Sequence, residues 1–418
     1  MRWASTRGES VEFALMSKAN VSKSIRIGLL AYGAIGHEHN LAVQATNGLE
    51  LTAVCDTNPD RIVAAKELAP DVASFSDALT MLDSGTLDLV VISTPPNSHY
   101  AWAKEALQRN IHVVLEKPMA LRAEECDELM ALAAAKGLLL VVYQNRRFDA
   151  DFVTMSRIIR EGLIGDVFQY DCFVGGYSQP CTYWHSNAEV SGGAIFDWGS
   201  HFIDQILAVI PDSVSHVSGQ NHKRVWMHAT NADHAQVTIT FDSGVQATFV
   251  NSDLAAARKP KFYVLGTKGA IVGDWDPAAE PAVADLPAIL TLHSSDGSVS
   301  TIDLDVVQPY AFHASLVDFL HNQVPMSVQA LQSRNVVAIM EAAERSAAAM
   351  PLLFRLASKT SDCSLGLHWC WLRSQQGNDP RGSRNTECFA VCGSQSRSRS
   401  FGNARTPSRS SFLSRLDR

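Results

Sequence analysis

The sequence predicts an α/β protein: an N-terminal Rossmann, doubly wound parallel sheet, followed by a C-terminal α+β domain with an open, mainly antiparallel sheet. Three observations predict it. Short unbroken apolar runs alternate with helical stretches up to about residue 145, the mark of a parallel sheet covered on both faces. A glycine turn, Ala31-Tyr32-Gly33-Ala34-Ile35-Gly36, stands between the first run and the first helix. After about Asn145 the pattern changes to alternating segments joined by turns such as Asp242-Ser243-Gly244.

The elements follow in order. Ile25 to Leu30 is a strand, and a helical stretch runs from the glycine turn to Ala45. Leu51 to Cys55 is a strand, and Pro59 opens a helix to Leu68, proline being favoured in the first turn. Leu87 to Ser93 is a strand, Ser98 to Arg109 a helix, and Ile111 to Leu115 a strand. Arg122 to Lys136 is a helix stopped by Gly137, and Leu138 to Val142 a strand. A helix from Asp151 to Glu161 then leads into the strand Val167 to Val174, and Asp197 to Val209 is a further helix. Strands follow at Val214 to Ser218, Gln236 to Phe241, Val245 to Val250, Lys261 to Leu265 and Ala270 to Val272. Helices at Ala311 to His321 and Ser333 to Ala349 close the second half. The resulting domains are residues 24–145 and 146–350.

At 418 residues, two domains with sizeable cores are expected. Hydrophobic residues at 46% and charged residues at 19% describe a soluble globular chain. No apolar run approaches the roughly 18 residues that span a bilayer. A net charge of −8 argues against a nucleic-acid-binding body. Cys55, Cys126, Cys172 and Cys181 are scattered, as reduced thiols of a cytoplasmic protein would be. Cys363, Cys370, Cys388 and Cys392 do not match paired zinc spacings, so no metal is expected.

Both ends differ from the body. Residues 1–23 lack the apolar core of a secretion signal and read as a disordered extension, with Met16 as an alternative start. From Ser361 to Arg418 there are nine Arg, no Lys, four acidic residues and twelve Ser. Residues 357–418 read as a disordered tail from out-of-frame or read-through translation, or as an Arg/Ser-rich arm for nucleic acid or acidic partners.

The chemistry-bearing residues lie between. A dinucleotide turn needs glycine where the chain bends tightly and where the backbone nears the pyrophosphate, whose charge sits at the following helix N-terminus. Gly33 and Gly36 supply the second and third glycines, and Ala31 replaces the first. Asp56, twenty residues beyond Gly36, ends the second strand. A carboxylate there accepts the ribose hydroxyls and repels a 2′-phosphate, which favours NAD, with NADP open through Thr57, Asn58 and Arg61. Alternatively, Asp56 caps the helix at Pro59.

Lys117, in Glu116-Lys117-Pro118, leaves its strand at the carboxyl edge, where ligands of such sheets bind. An ammonium there stabilises a developing alkoxide, and Pro118 restricts the backbone beside it. Asp197 and His201, four apart on one expected helix, would share a face. His201 reads as a general base or as a packing residue, and Asp197 as its orienter or a substrate contact. Asp204 is a neighbour with a structural or site role. A turn, a strand-end lysine and an Asp/His pair point to hydride transfer at a carbinol or carbonyl carbon.

These residues, with Ser93-Thr94-Pro95-Pro96-Asn97-Ser98-His99, Asn145-Arg146-Arg147-Phe148 and Gly192 to Asp204, resemble the Gfo/Idh/MocA family of NAD(P)-dependent oxidoreductases. The resemblance spans about residues 24 to 350, and the Asn145 segment is nearest the scyllo-inositol dehydrogenase-like branch. It implies that Lys117, Asp197 and His201 are catalytic and contact substrate with Asn145. It implies that Thr94, Pro95, Asn97, His99 and Glu116 join the 31–36 turn and Asp56 at the cofactor. Tyr177 and Trp184 are either substrate-facing aromatics or packing residues. A cyclic polyol or sugar substrate and a homodimer or homotetramer, formed through the open sheet, are the implied partners. Departures from the family pattern are Ala31 and an end near Ala349, short of the usual C-terminus. The alternatives are a dinucleotide-binding sensor without turnover, or a dihydrodiol- or biliverdin-type reductase.

Overall fold

The computed structural model describes residues 23–280, 284 and 286–349. The expected N-terminal extension, apart from Lys23, and the Arg/Ser-rich tail lie outside these residues.

The first half runs β1 (Ile25–Leu30), α1 (Ala34–Ala45), β2 (Leu49–Cys55), α2 (Pro59–Leu68), β3 (Ala73–Phe75), α3 (Ala78–Leu82), β4 (Leu89–Ile92), α4 (His99–Gln108), β5 (His112–Leu115), α5 (Ala123–Lys136) and β6 (Leu140–Val142). The six strands form one parallel sheet in the order β3-β2-β1-β4-β5-β6. Side chains alternate across it, apart from a register shift at Thr52 in β2. Ile27, Leu29, Leu89, Val91, Val114 and Val141 pack into one core, and Val90, Ile92, Val113, Leu115, Leu140 and Val142 into another. Two apolar faces are why these strands read as continuous runs rather than alternating ones.

The second half runs α6 (Ala150–Arg160), β7 (Val167–Gly175), α7 (Ala188–Ser191), α8 (Gly199–Val209), β8 (Val214–His222), β9 (His234–Phe241), β10 (Gln246–Ser252), β11 (Phe262–Gly266), β12 (Gly269–Asp274), β13 (Ile289–Ser294), β14 (Val299–Ile302), α9 (Ala311–Asn322) and α10 (Ala330–Ala349). Its eight strands follow the order β14-β13-β12-β11-β7-β10-β9-β8, antiparallel except for the β7–β10 pair. In β9, Ala235, Val237, Ile239 and Phe241 are buried while the residues between them are half-exposed. One face is therefore covered, by α8 and α10 among others, and the other is open. The helix α9 crosses to the first sheet, where Phe312 and Leu316 join its core.

The structure adds elements the sequence pattern does not reveal. The strand β3 has three half-exposed or exposed residues and no apolar period, and it forms only by pairing with β2. The strands β13 and β14 form the sheet's edge hairpin around Gly297, at φ +87°. The helices α3 and α7 are too short to show a period. A correction bears on the site: α8 begins at Gly199, so Asp197 lies in the preceding turn rather than on the helix. Cys55, Cys126 and Cys172 are buried and unpaired, and Cys181 is partly exposed. No helix among the described residues is long and apolar enough to cross a membrane.

One buried ion pair staples α6 to the second sheet. Lys261 Nζ donates to Asp151 Oδ2 at 2.7 Å, with both side chains at 2% exposure or less. The same carboxylate oxygen accepts the Ala288 N–H at 2.6 Å, and the ammonium also donates to the Leu286 carbonyl at 3.0 Å. Removing one member of such a pair strands a charge without solvent. Lys261→Ala is therefore expected to cost about 3–5 kcal/mol in urea unfolding, against under about 1 kcal/mol for Arg334→Ala at the exposed Asp127 pair. Equal costs would contradict this account.

Candidate active site

The glycine turn joins β1 to α1. Ala31 takes a left-handed backbone, φ +73°, where glycine would be unstrained. A Cβ on Gly36 would lie 2.7 Å from the Ala31 carbonyl oxygen, so that position requires glycine. At Gly33 an added Cβ would meet only Arg61 Nη1, at 3.9 Å, leaving open space in front of α1. No side chain caps α1 and its first turn holds no acidic residue. An uncapped helix N-terminus behind an open glycine fits a pyrophosphate, with the Ala34, Ile35 and Gly36 amides facing it.

Asp56 is 7% exposed and clamps this turn. Its Oδ2 accepts the Tyr32 N–H at 2.7 Å and its Oδ1 the Asn58 N–H at 2.8 Å. Asn58, not Asp56, caps α2 by accepting the Asp60 N–H. Tyr32 itself is buried, its hydroxyl accepting from Asn40 at 2.8 Å, so neither its amide nor its ring is free for a ligand. Arg61 lies 3.5 Å from Asp56 with half its side chain exposed.

The Thr94 to His99 loop leaves β4 on the same edge. The Ser98 hydroxyl donates to Thr94 Oγ1 at 2.7 Å, Pro95 is half-buried, and Asn97 is exposed. His99 is fully buried, with its ring nitrogens 2.7 Å from the Pro118 and Thr94 carbonyls. A neutral ring donates to one of them. His99 therefore bridges this loop to the segment after Lys117. Glu116 turns inward: it is 7% exposed, and its carboxylate meets His39 and the Lys117 N–H rather than the open edge.

Lys117 and Asp197 meet directly, through Nζ and Oδ1, with side chains 20% and 39% exposed. The same ammonium lies 3.5 Å from the Asp197 carbonyl. Desolvation pushes the Asp197 carboxyl up, but Lys117 outweighs it and holds the group below the ordinary carboxylate range. His201, on the first turn of α8, is 5% exposed. Burial, then the positive charges of Lys117 and Arg146, push its imidazole well below the usual range, so it is neutral at pH 7. Its Nδ1 is enclosed without a hydrogen-bond partner. Asn145 Oδ1 is equally enclosed and unpartnered, at the end of β6 beside β5. An unsatisfied acceptor such as Asn145 Oδ1 requires an explanation, and a ligand's hydroxyl group provides one.

Asp204 has a different task. Arg147 grips its carboxylate with two bonds, 2.5 and 2.6 Å, and also reaches Gln332 Oε1 at 2.9 Å. With Gln205 Nε2 on the Arg146 carbonyl at 2.9 Å, this fixes the 145–148 turn against α8. Two neighbours of the site carry no spacing signal. His185 Nδ1 lies 4.0 Å from Asp197 Oδ2, and its ring stacks on Trp184 at 3.6 Å. The Arg146 guanidinium lies over Trp198 at 5.6 Å. Tyr177 is largely exposed and packs edge-on against Trp226.

Comparison with known proteins agrees with this architecture. Residues 25–144 match the oxidoreductase family profile described as an NAD-binding Rossmann fold, and residues 152–272 the GFO/IDH/MocA C-terminal domain. The scyllo-inositol 2-dehydrogenase (NADP(+)) IolW of Bacillus subtilis is 26% identical over 344 residues, 77% of this chain and 94% of IolW. The D-glucoside 3-dehydrogenase of Escherichia coli is 27% identical over 203 residues, 47% of this chain and 56% of that enzyme. An NAD-binding protein from Listeria innocua superposes with a TM-score of 0.68 at 26% identity, covering 78% of this chain and 95% of that one. The WlbA dehydrogenase of Bordetella pertussis, solved with NADH and UDP-GlcNAcA, shares the fold, with a TM-score of 0.64 at 23% identity over 78% of this chain and 98% of WlbA. A parallel sheet with a glycine turn, a strand-end lysine on an aspartate and matches across both halves establish that the chain belongs to the Gfo/Idh/MocA family of NAD-binding oxidoreductases.

Proposed function

We propose that the protein is an NAD(P)-dependent dehydrogenase moving a hydride between nicotinamide and a secondary alcohol or ketone of a cyclic polyol or sugar, inositol-like in shape. The observation that carries this reading is the Lys117–Asp197 ion pair on the carboxyl edge of the parallel sheet, with a neutral His201 kept beside it. Two relatives, named for scyllo-inositol and for a D-glucoside, support the substrate class.

Lys117 has three N–H donors, and Asp197 orients the ammonium so that one is left for the substrate oxygen. That bond strengthens as the oxygen gains negative charge, which favours the transition state over the ground state. His201 Nε2, the ring nitrogen not enclosed, accepts the hydroxyl proton; in the reverse direction it returns the proton to the ketone oxygen. Asn145 Oδ1 accepts a hydroxyl elsewhere on the ring, and Trp184 with His185 walls the pocket beside Asp197. NAD(P), when bound, supplies the hydride acceptor. Asp56 is proposed to accept the ribose hydroxyls, favouring NAD, while Arg61 is placed to meet a 2′-phosphate. The open face of the second sheet, presenting Asp171, Thr248 and Tyr263, is the proposed surface for a homodimer or homotetramer.

Reduced-nicotinamide absorbance with NAD or NADP, across inositols, aldoses and glycosides, with aromatic diols and biliverdin as controls, tests this. Turnover of a polyol or sugar is expected, falling about 10²- to 10⁴-fold in kcat for Lys117→Ala. Turnover of the controls alone would sink the reading. The ratio of kcat/KM for NAD over NADP should exceed one and rise further in Arg61→Ala.

The pH dependence follows from His201. Its folded pKa is depressed, so the base form persists as pH falls below the unperturbed value near 6.5. Alcohol oxidation should therefore stay level from pH 7 through 6.5 and fall only well below; an acid limb centred at or above 6.5 would contradict the assignment. The same depression contributes stability that is present above about pH 6.5 and lost as pH falls toward the folded pKa.

A further inference from the structure

Glu116 begins a buried chain of polar groups that the proposed reaction does not use directly. One carboxylate oxygen accepts the Lys117 N–H at 3.2 Å, and the other lies 3.0 Å from Nε2 of His39. Nδ1 of His39 lies 3.0 Å from Nε2 of His313. The three side chains come from the end of β5, from α1 and from α9, and their exposures are 7%, 0% and 1%. Tyr143 packs against both imidazoles, with centroids at 4.5 and 5.4 Å, and Phe312 flanks His313 at 5.7 Å.

Donor and acceptor chemistry sets the direction of these bonds. An ionised carboxylate only accepts, so His39 donates from Nε2. A neutral His39 then accepts at Nδ1, and His313 donates from its own Nε2. That leaves Nδ1 of His313 as a bare acceptor, and it is enclosed with no partner. Burial pushes His313 well below the ordinary imidazole range, in keeping with a neutral ring ending the chain. Each bond fixes the next group, and the last fixes the backbone of Lys117.

We propose that Glu116, His39 and His313 form a relay that positions Lys117, making both histidines positioning residues for hydride transfer. The inference rests on reading Lys117 as the group that polarises the substrate oxygen. A lysine ammonium sits at the end of four methylenes, so a small rotation at its backbone becomes a large displacement of Nζ. A misplacement of about 1 Å in such a group costs about 10²-fold in rate. The relay also ties that backbone to α1, whose N-terminus faces the cofactor, and to α9, which arrives from the far end of the chain. Lysine placement and cofactor-helix placement are thereby made to agree.

Three variants test it. His39→Leu removes the donor to Glu116, His39→Gln retains an amide N–H for it, and His313→Phe keeps the ring packing on Tyr143 while deleting the donor to His39. NADH affinity by fluorescence, kcat and KM with the polyol or sugar turned over, and the primary deuterium isotope effect are measured, with Lys117→Ala alongside. His39→Leu and His313→Phe should lower kcat roughly 10- to 100-fold, leave NADH affinity unchanged and raise the isotope effect, as hydride transfer becomes rate-limiting. His39→Gln should recover most of the rate. Unchanged kcat and isotope effect in both variants, beside an inactive Lys117→Ala, overturn the relay and leave the lysine assignment intact. An active Lys117→Ala overturns the assignment itself. Crystal structures of the NADH-bound variants give a readout independent of substrate: Lys117 should leave Asp197 in His39→Leu, and its staying in place overturns the proposal. His39→Gln stays close to histidine in volume and His313→Phe keeps an aromatic ring at its site, so the test survives a failure of His39→Leu to fold.

Discussion

The contact between Lys117 and Asp197 joins groups 80 residues apart and holds the two sheets in one arrangement at the site. Lys117 leaves β5 at the carboxyl edge of the parallel sheet. Asp197 stands in the turn that feeds α8, which packs on the second sheet. Neither partner is fully desolvated, so the pair avoids the cost of a wholly buried one. Its value is orientation. With Oδ1 and the carbonyl of Asp197 around the ammonium, the direction of the remaining N–H is set before any ligand arrives. His201 feels the same ammonium, which adds to burial in keeping its ring neutral. One contact thus aims the proposed electrophile and helps keep the proposed base neutral.

How much of this was legible in the sequence varies with the range of the interaction. The strands β1, β4 and β5 show in the sequence because each buries both faces, and their apolar runs need no partner to be recognised. The helix α5 shows its end because Gly137 adopts φ +65° as a helix stop should. Lys117 could be placed because a strand-end position in a parallel sheet has a known side. The Asp197–His201 pairing was read from helical spacing. Both residues feel the charge of Lys117, yet Asp197 precedes the helix, and it is Lys117, absent from that spacing argument, that holds its carboxylate. Illegible were contacts between distant segments: His185 against Asp197, Arg147 holding Asp204, and the inward turn of Glu116. None leaves a periodic trace, because each depends on where two loops or helices meet. The edge strands β3 and β14, and β13 beside β14, are illegible for a related reason, since pairing rather than local pattern creates them.

The cofactor end shows how a single residue can serve two demands and so resist change. Ala31 holds a left-handed backbone that costs an L-residue about 1–2 kcal/mol. Something must compensate, and the surrounding bonds do: the Ala31 N–H reaches the Cys55 carbonyl at 2.8 Å, and the next amide reaches Asp56 at 2.7 Å. Asp56, the carboxylate proposed to read the ribose, is therefore also the clamp on the strained turn. Its second oxygen holds the Asn58 amide and with it the start of α2. On that proposal, cofactor choice and turn geometry are coupled through one side chain, so exchanging Asp56 would loosen the turn proposed to receive the pyrophosphate. Arg61 carries no such burden. It is half-exposed, it reaches Asp56 only at 3.5 Å, and nothing in the turn depends on it. On the proposed reading, residue 61 is free to tune the preference between NAD and NADP, while residue 56 stays bound to its structural role.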